Sequence, residues 1–322
     1  MPAAKMASPG SWSSPVTGAS VAAGAWRPLD VCRDGTTVYL LERRPAESGR
    51  NALVRLGRGG TAEDVLPAPF DARSRVHEYG GGAVLAKGGS IHFVNHADQR
   101  LYRLEAGSEP VALTPQGSWR YADGDLDDAR GRTLWVLEEH GPGSRVQNAI
   151  AEVSLTGGHP RILVSGRDFY AYPRISPDGR FLAWITWDHP AMPWNGCELW
   201  VGELESDGSL GASQRVAGGP RESVFQPQWA PGGDLLFVSD REGWWNLHRL
   251  GKDGPEALTD PPGEMGKPLI QLGTRTFAIH PSGRVVCTFA REGRWHCGVL
   301  DPDTGDLRDL GLEYETYSAL TA

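Results

Sequence analysis

Short runs of alternating apolar and polar residues, broken at close intervals by glycine, proline and aspartate, fill most of the chain. A period of two belongs to strands with one buried face, and no stretch between the breaks sustains the 3.6-residue period of a long helix. One unit recurs: a strand, a tight glycine turn, a second strand, a polar loop, then a strand of mixed aromatic and aliphatic residues. Its clearest copies are ISPDGRFLAWITWD (175–188), WAPGGDLLFVSD (229–240) and IHPSGRVVCTFARE (279–292). Weaker copies are VCRDGTTVYLLERR (31–44), LAKGGSIHFVNH (85–96) and LDDARGRTLWVLEEH (126–140). The turn glycines Gly35, Gly89, Gly131, Gly179, Gly233 and Gly283 lie 54, 42, 48, 54 and 50 residues apart. Propeller blades repeat at roughly 40–50 residues, whereas helical solenoids of that period need helices that the glycines and prolines forbid.

Each unit holds four short strands, so the expected fold is all-β: a β-propeller of four-stranded blades. Six blades are recognisable, near 26–67, 77–114, 121–164, 171–219, 224–259 and 273–310, and the first strand of a seventh is read at 316–322. The propeller occupies 13–322, after a disordered start at 1–12. A blade cannot cover its own two faces, so neighbours must stack, and radial closure leaves only short edges. Trp184, Trp200, Trp229 and Trp244 are expected to pack between blades, filling the gap that widens outward. Three missing strands of a seventh blade would leave apolar faces open and give the chain a tendency to self-associate.

Composition narrows the class further. Gly 42 and Pro 24 in 322 residues are too many for a helical protein, while 39% hydrophobic residues and 12 tryptophans require a folded core. A net charge of −8 argues against a nucleic-acid partner. No apolar run approaches the length of a membrane span and the N-terminus has no apolar signal core, so no membrane partner and a cytoplasmic location are expected. The four cysteines, Cys32, Cys197, Cys287 and Cys297, form no C-x-x-C. Cys287 and Cys297 fall on adjacent strands of one hairpin and read as reduced core thiols, because bridging neighbouring strands strains a disulfide.

Function is sought where the loops are long. The turns joining first to second strands are tight, as at Pro177-Asp178-Gly179, Pro231-Gly232-Gly233 and Pro281-Ser282-Gly283. The connections between second and third strands emerge at the opposite end and carry charge in every blade, for example Glu138-Glu139-His140, Asp188-His189 and Asp240-Arg241. Connections between blades, such as the one holding His77, Glu78 and Tyr79, open there too. His77 and Glu78 are neighbours, so on a strand they would point to opposite faces and could not chelate one ion. Gly80-Gly81-Gly82 reads as backbone crowding at the axis rather than as a phosphate loop. Glu138 and Glu139 would suit a substrate ammonium group only if the strand has ended, and otherwise read as solvated loop acids. No G-x-S-x-G, H-E-x-x-H or P-loop occurs, and the nine histidines form no ligand-spaced cluster, so no catalytic residue, metal or cofactor is assigned.

Several longer segments together resemble one family. VHEYGGG (76–82), RYADGDLDDARGR (120–132), SPDGRFLAWITWDHPAMPW (176–194), QPQWAPGG (226–233) and SDREGWWNLHRL (239–250) are similar to the propeller domain of the prolyl oligopeptidase family of serine peptidases. Within it they are most like the acylaminoacyl-peptidase and dipeptidyl-aminopeptidase members. The likeness runs from about Ser11 to the C-terminus and is weaker around 261–274. It implies a following α/β-hydrolase domain with a Ser-Asp-His triad, in cis or on another chain. The propeller would cap that active site, exclude folded proteins and admit short peptides. None of the triad motif is present, so no catalytic role carries over.

The expected function is therefore a non-catalytic propeller that gates substrate access in a serine peptidase. His77, Glu78, Tyr79, Glu138, Glu139, Asp188, His189, Asp240 and Arg241 would be its gating or domain-facing residues. A stand-alone propeller acting as a protein-interaction scaffold is the alternative. A propeller enzyme with an axial metal is a third reading and lacks a ligand cluster.

Overall fold

The computed structural model describes all residues except 1–7, 9, 12–13, 24–26, 58, 142, 144–145 and 260–263. The start expected to be disordered, 1–12, lies largely outside the described residues. Six four-stranded antiparallel sheets follow one another, spanning 27–64, 84–112, 119–165, 169–218, 224–257 and 277–309. Strands within each sheet pair in chain order, so each sheet is one blade of a six-bladed propeller. The inner strands are Arg27–Asp34, Val84–Lys87, Trp119–Asp127, Phe169–Ile175, Val224–Trp229 and Phe277–Ile279.

Blade 4 shows why the sequence builds this unit. Its strands are Phe169–Ile175, Phe181–Trp187, Glu198–Leu204 and Leu210–Gly218. The first turn is fixed locally. Ser176 Oγ donates to Asp178 and accepts from Phe181 N–H, Asp178 accepts from Arg180 N–H, and Gly179 takes the left-handed φ of +71° that closes the hairpin. Trp184 is buried and stacks on Trp200 across the strand pair, ring centroids 6.4 Å apart. Trp229 packs partly buried against the same core and donates its indole N–H to Arg174 O of blade 4, 2.9 Å away. Trp244 differs from expectation: it sits in the second-to-third connection of blade 5 and is 49% exposed. The neighbouring Trp245 takes the inward position.

The core divides by blade interface. One buried cluster joins blades 1 and 2, a second joins blades 2 and 3, and a third runs through blades 3 to 6. His92, in the second strand of blade 2, is fully buried, and neither ring nitrogen has a hydrogen-bond partner among the described residues. Burial, helped by the nearby Arg103 charge, lowers its pKa to about 4. All four cysteines are free. Cys287 opposes Gly298 and Thr288 opposes Cys297, so the two thiols of this hairpin project from opposite faces of the sheet and cannot bridge.

The expected first strand of a seventh blade is not formed. The last strand is Leu307–Asp309, and residues 310–322 form no strand. Sequence periodicity overran here because Tyr317 and Leu320 fit a strand pattern, yet no blade edge receives them. Their carbonyls instead accept from Lys267 Nζ (2.6 Å) and Arg275 Nε (3.0 Å). The ring closes with six blades: Arg275, just before the inner strand of blade 6, ion-pairs with Asp30 and donates to Val31 O of blade 1 (2.6 Å). Blade 1 is thus reached directly from blade 6, with no seventh blade between them. The seam is polar, since among the described residues no buried apolar cluster joins blades 6 and 1. Burial pushes the Asp30 carboxyl pKa up, against the pull of Arg275.

Candidate domain-facing site

Every first-to-second turn lies at one end of the propeller, here the turn face. Antiparallel pairing puts the second-to-third connections and the entries to the inner strands at the other end, the loop face. Glu138, Asp188 and Asp240 all lie at the loop-face end of a second strand or just beyond it.

The connection from blade 1 to blade 2 crosses this face in an unusual backbone. His77 and Glu78 have φ of +52° and +62°, followed by Gly80, Gly81 and Gly82, all at positive φ. The strand expected at His77 and Glu78 is therefore a turn, forced by the left-handed path that the glycines continue. The two side chains still part. His77 turns inward, edge-on to Phe169 and Trp187 at centroid distances of 5.1 and 5.9 Å, and burial lowers its pKa against the pull of Glu138 and the Asn148 side chain. Glu78 points outward and takes a hydrogen bond from Arg120 Nη1 (2.5 Å), which holds its carboxyl below the usual range. Tyr79 is 67% exposed.

Glu138 is no solvated loop acid. The second strand of blade 3 runs on to His140, so Glu138 is still paired, to Asn148 and Arg120, and is buried. It accepts from His77 N–H (3.0 Å), approaches Arg120 Nη1 (3.4 Å) and bonds to His140 Nε2 (2.9 Å). Glu139 points to the opposite face and accepts from the Trp119 indole (3.2 Å). A carboxylate so fully engaged is a strut for the 75–82 connection rather than a free receptor for an ammonium group.

Asp188 is a second anchor. It accepts from Arg167 Nε (2.6 Å) and Asp168 N–H (2.8 Å), while His189 N–H donates back to Asp168 (2.9 Å). Arg167 also reaches Glu198 (3.0 Å), joining the entry of blade 4 to its own third strand. Phe169 stacks on Trp187, its partner across the strand pair, and the exposed His189 lies edge-on to it, so the aromatic group links His189 to His77. Asp240 and Arg241 stand apart. Asp240 accepts from Ser223 N–H (2.7 Å) and burial raises its pKa, while Arg241 pairs with Glu222 (2.9 Å), which also accepts from Ser239.

The structure thus gathers His77, Glu78 and Glu138 around Arg120, connects Asp188 and His189 through Phe169 and Trp187, and leaves the Asp240 pair in its own network. Arg120, Arg167 and Phe169 were not singled out in the sequence, and His140 only as a loop charge. Arg120 and Arg167 lie at blade entries, and their signal was a cation beside each acidic loop. Tyr79, Met192, Trp244 and Ile270 are exposed, and all come from loop-face connections. Among the described residues no three His, Cys, Asp or Glu side chains come together as metal ligands, and no helix is long and apolar enough to cross a membrane.

A six-bladed propeller with tight turns at one end and a braced, partly apolar loop face at the other defines the class of protein. Solved structures place it further. A puromycin-hydrolysing peptidase from Mycobacterium tuberculosis is 39% identical, with a TM-score of 0.88 over 97% of this chain. Puromycin hydrolase, solved alone and in complex with PGG, is 35–36% identical with the same TM-score. These are peptidases of the prolyl oligopeptidase family, and the chain is similar to their propeller domain. It spans about half, 51%, of the length of each. A putative TolB from Agrobacterium tumefaciens, 17% identical at a TM-score of 0.52, shares the fold alone. No family model and no curated protein matches the chain.

Proposed function

We propose that this propeller is the non-catalytic half of a prolyl-oligopeptidase-family serine peptidase. Its loop face seats against an α/β-hydrolase half, which it caps so that short peptides enter and folded proteins do not. The observation that carries this reading is the 39% identity to a puromycin-hydrolysing peptidase over 97% of the chain, within 51% of that protein's length. Exposed apolar side chains support it: Tyr79, Met192, Trp244 and Ile270 all stand on the loop face. Beyond Asp309 the chain runs back past Lys267 and Arg275, and Leu320, Thr321 and Ala322 line the axial cavity. His77, Glu78, Glu138, Glu139, Asp188 and His189 form a braced cluster over blades 3 and 4 on the loop face, and Asp240 and Arg241 a separate contact. The four free cysteines suit a reducing compartment, and we assign the protein to the cytoplasm.

The test has two arms. This chain alone is expected to turn over no aminoacyl or acyl-peptide chromogenic substrate and to take no fluorophosphonate label. The polypeptide that continues into the following half is expected to do both and to leave folded proteins intact. A stoichiometric label on a serine of the propeller would overturn the reading, as would a natural stop directly after Ala322, which would favour a scaffold.

A further inference from the structure

The seam between blades 6 and 1 is built unlike the other junctions. At two of those, an acceptor side chain of one inner strand takes a backbone N–H at the next. Asp123 takes that of Tyr172 (2.8 Å) between blades 3 and 4, and Gln226 that of Thr276 (2.7 Å) between blades 5 and 6. Blades 1 and 2 share a buried apolar cluster, and Asp34 takes the N–H of Gly89 (2.6 Å). At the seam the direct link is one cation, Arg275, on Asp30 and Val31 O. Toward the loop face the entry of blade 6 is tied to blade 2 instead. Gly81 pairs with Leu272 in a parallel bridge, and Leu272 N–H donates to Gly80 O (3.0 Å).

Residues 317–322 run into this junction. Residues 311–316 are exposed, whereas Tyr317 and 319–322 are half-buried. Leu320, Thr321 and Ala322 line the axial cavity, about 680 Å³, beside Val31 and Cys32 of blade 1 and Ala278 of blade 6. The segment therefore lies along the two inner strands that the seam separates. Two cations hold it by its backbone. Lys267 Nζ donates to Tyr317 O (2.6 Å) and stands 4.3 Å from the Trp295 ring centroid, with no carboxylate partner among the described residues. Arg275 Nε donates to Leu320 O (3.0 Å) while its Nη2 reaches Val31 O (2.6 Å), so one guanidinium joins the segment, blade 6 and blade 1. Between the two anchors Ala319 has a φ of +56°. A residue with a Cβ keeps a left-handed backbone only where its surroundings impose it, so the segment is firmly seated.

We propose that residues 317–322 are a clasp on the seam between blades 6 and 1, held by Lys267 and Arg275, and that its release loosens this seam while the other junctions stay closed. Closure of the ring is thereby controlled from a segment that belongs to no blade. The inference goes beyond the proposed function and does not depend on it, because it concerns this chain alone.

Hydrogen exchange on this chain and two full-length variants tests the clasp. Lys267→Met keeps an apolar stem on Trp295 and removes the donor to Tyr317 O. Ala319→Val touches no blade, but a β-branched residue does not tolerate the left-handed backbone there. In both variants the amides of 317–322, 29–33 and 277–279 should exchange about tenfold faster, with Phe181–Trp187 of blade 4 unchanged within about twofold. Lys267→Arg, which keeps a donor, should restore the native rates. A faster segment with an unchanged seam would make 317–322 a passenger and overturn the proposal. So would an unchanged segment, or equal acceleration in blade 4, which would mean that the substitutions weaken the whole fold. Should Lys267→Met not fold, Ala319→Val decides by the same criteria. Loss of peptidase activity in a longer polypeptide would bear on the proposed function and leave these rates as they are.

Discussion

His92→Leu is the substitution whose effect follows most directly from this structure. The native imidazole is fully buried between blades 2 and 3 with two unmatched nitrogens, and its pKa is lowered from 6.5 to about 4. A base whose folded pKa is depressed is held neutral by the fold. Its contribution is intact above the unfolded pKa and is lost as pH falls from 6.5 towards 4, because the unfolded chain takes up the proton first. Linkage over that window gives a loss of about 2 kcal/mol at pH 5 and about 3 kcal/mol at pH 4 from this residue alone. Leucine has similar bulk and no proton to take. At pH 7 the variant should be at least as stable as the native chain, since two desolvated nitrogens are removed without opening a cavity. At pH 4 the native protein should be less stable than the variant by about 3 kcal/mol, which lowers its Tm by about 4–5 °C for a domain of this size. Thermal melts of both proteins between pH 7 and pH 4 read the difference. Parallel curves, with a constant gap across that range, would refute a buried neutral histidine at this position.

Arg275→Leu should cost about 3 kcal/mol, because it strands the Asp30 carboxylate and removes the bonds to Val31 O and Leu320 O that close the seam between blades 6 and 1. Urea unfolding measures this, and a change within about 0.5 kcal/mol would show that the seam is held by other contacts. The two tryptophans divide sharply. Trp184→Ala should cost about 3–5 kcal/mol through the cavity it leaves, and Trp244→Ala less than about 0.5 kcal/mol. Equal losses in the same melts would contradict the burial described for blades 4 and 5.

Much of the architecture was legible because a propeller repeats its local physics. The Pro177-Asp178-Gly179 turn and the alternation in 181–187 specify a hairpin wherever they stand, so six glycines at near-constant spacing reveal six blades. The count failed only at 316–322, where a strand-like pattern has no partner edge; pairing is a tertiary fact that periodicity does not carry. The candidate site was half legible. Acidic residues at the loop-face end of each blade could be located from turn positions, but their partners could not. Glu138 reads as a loop acid until the strand is seen to run on to His140 and Arg120 to arrive from the neighbouring strand. The glycine run 80–82 announced crowding at the axis, yet that Leu272 supplies the other side follows only from the closure of the ring.

The central claim is that the loop face, and not the turn face, is covered by the catalytic half. Hydrogen exchange compared between this chain alone and the polypeptide continuing into that half tests it most directly. Exchange should be slower over 77–82, 188–195, 240–245 and 268–274 in the longer protein, with 176–180, 231–234 and 281–284 unchanged. Protection confined to those turn segments, or no difference between the two proteins, would contradict it.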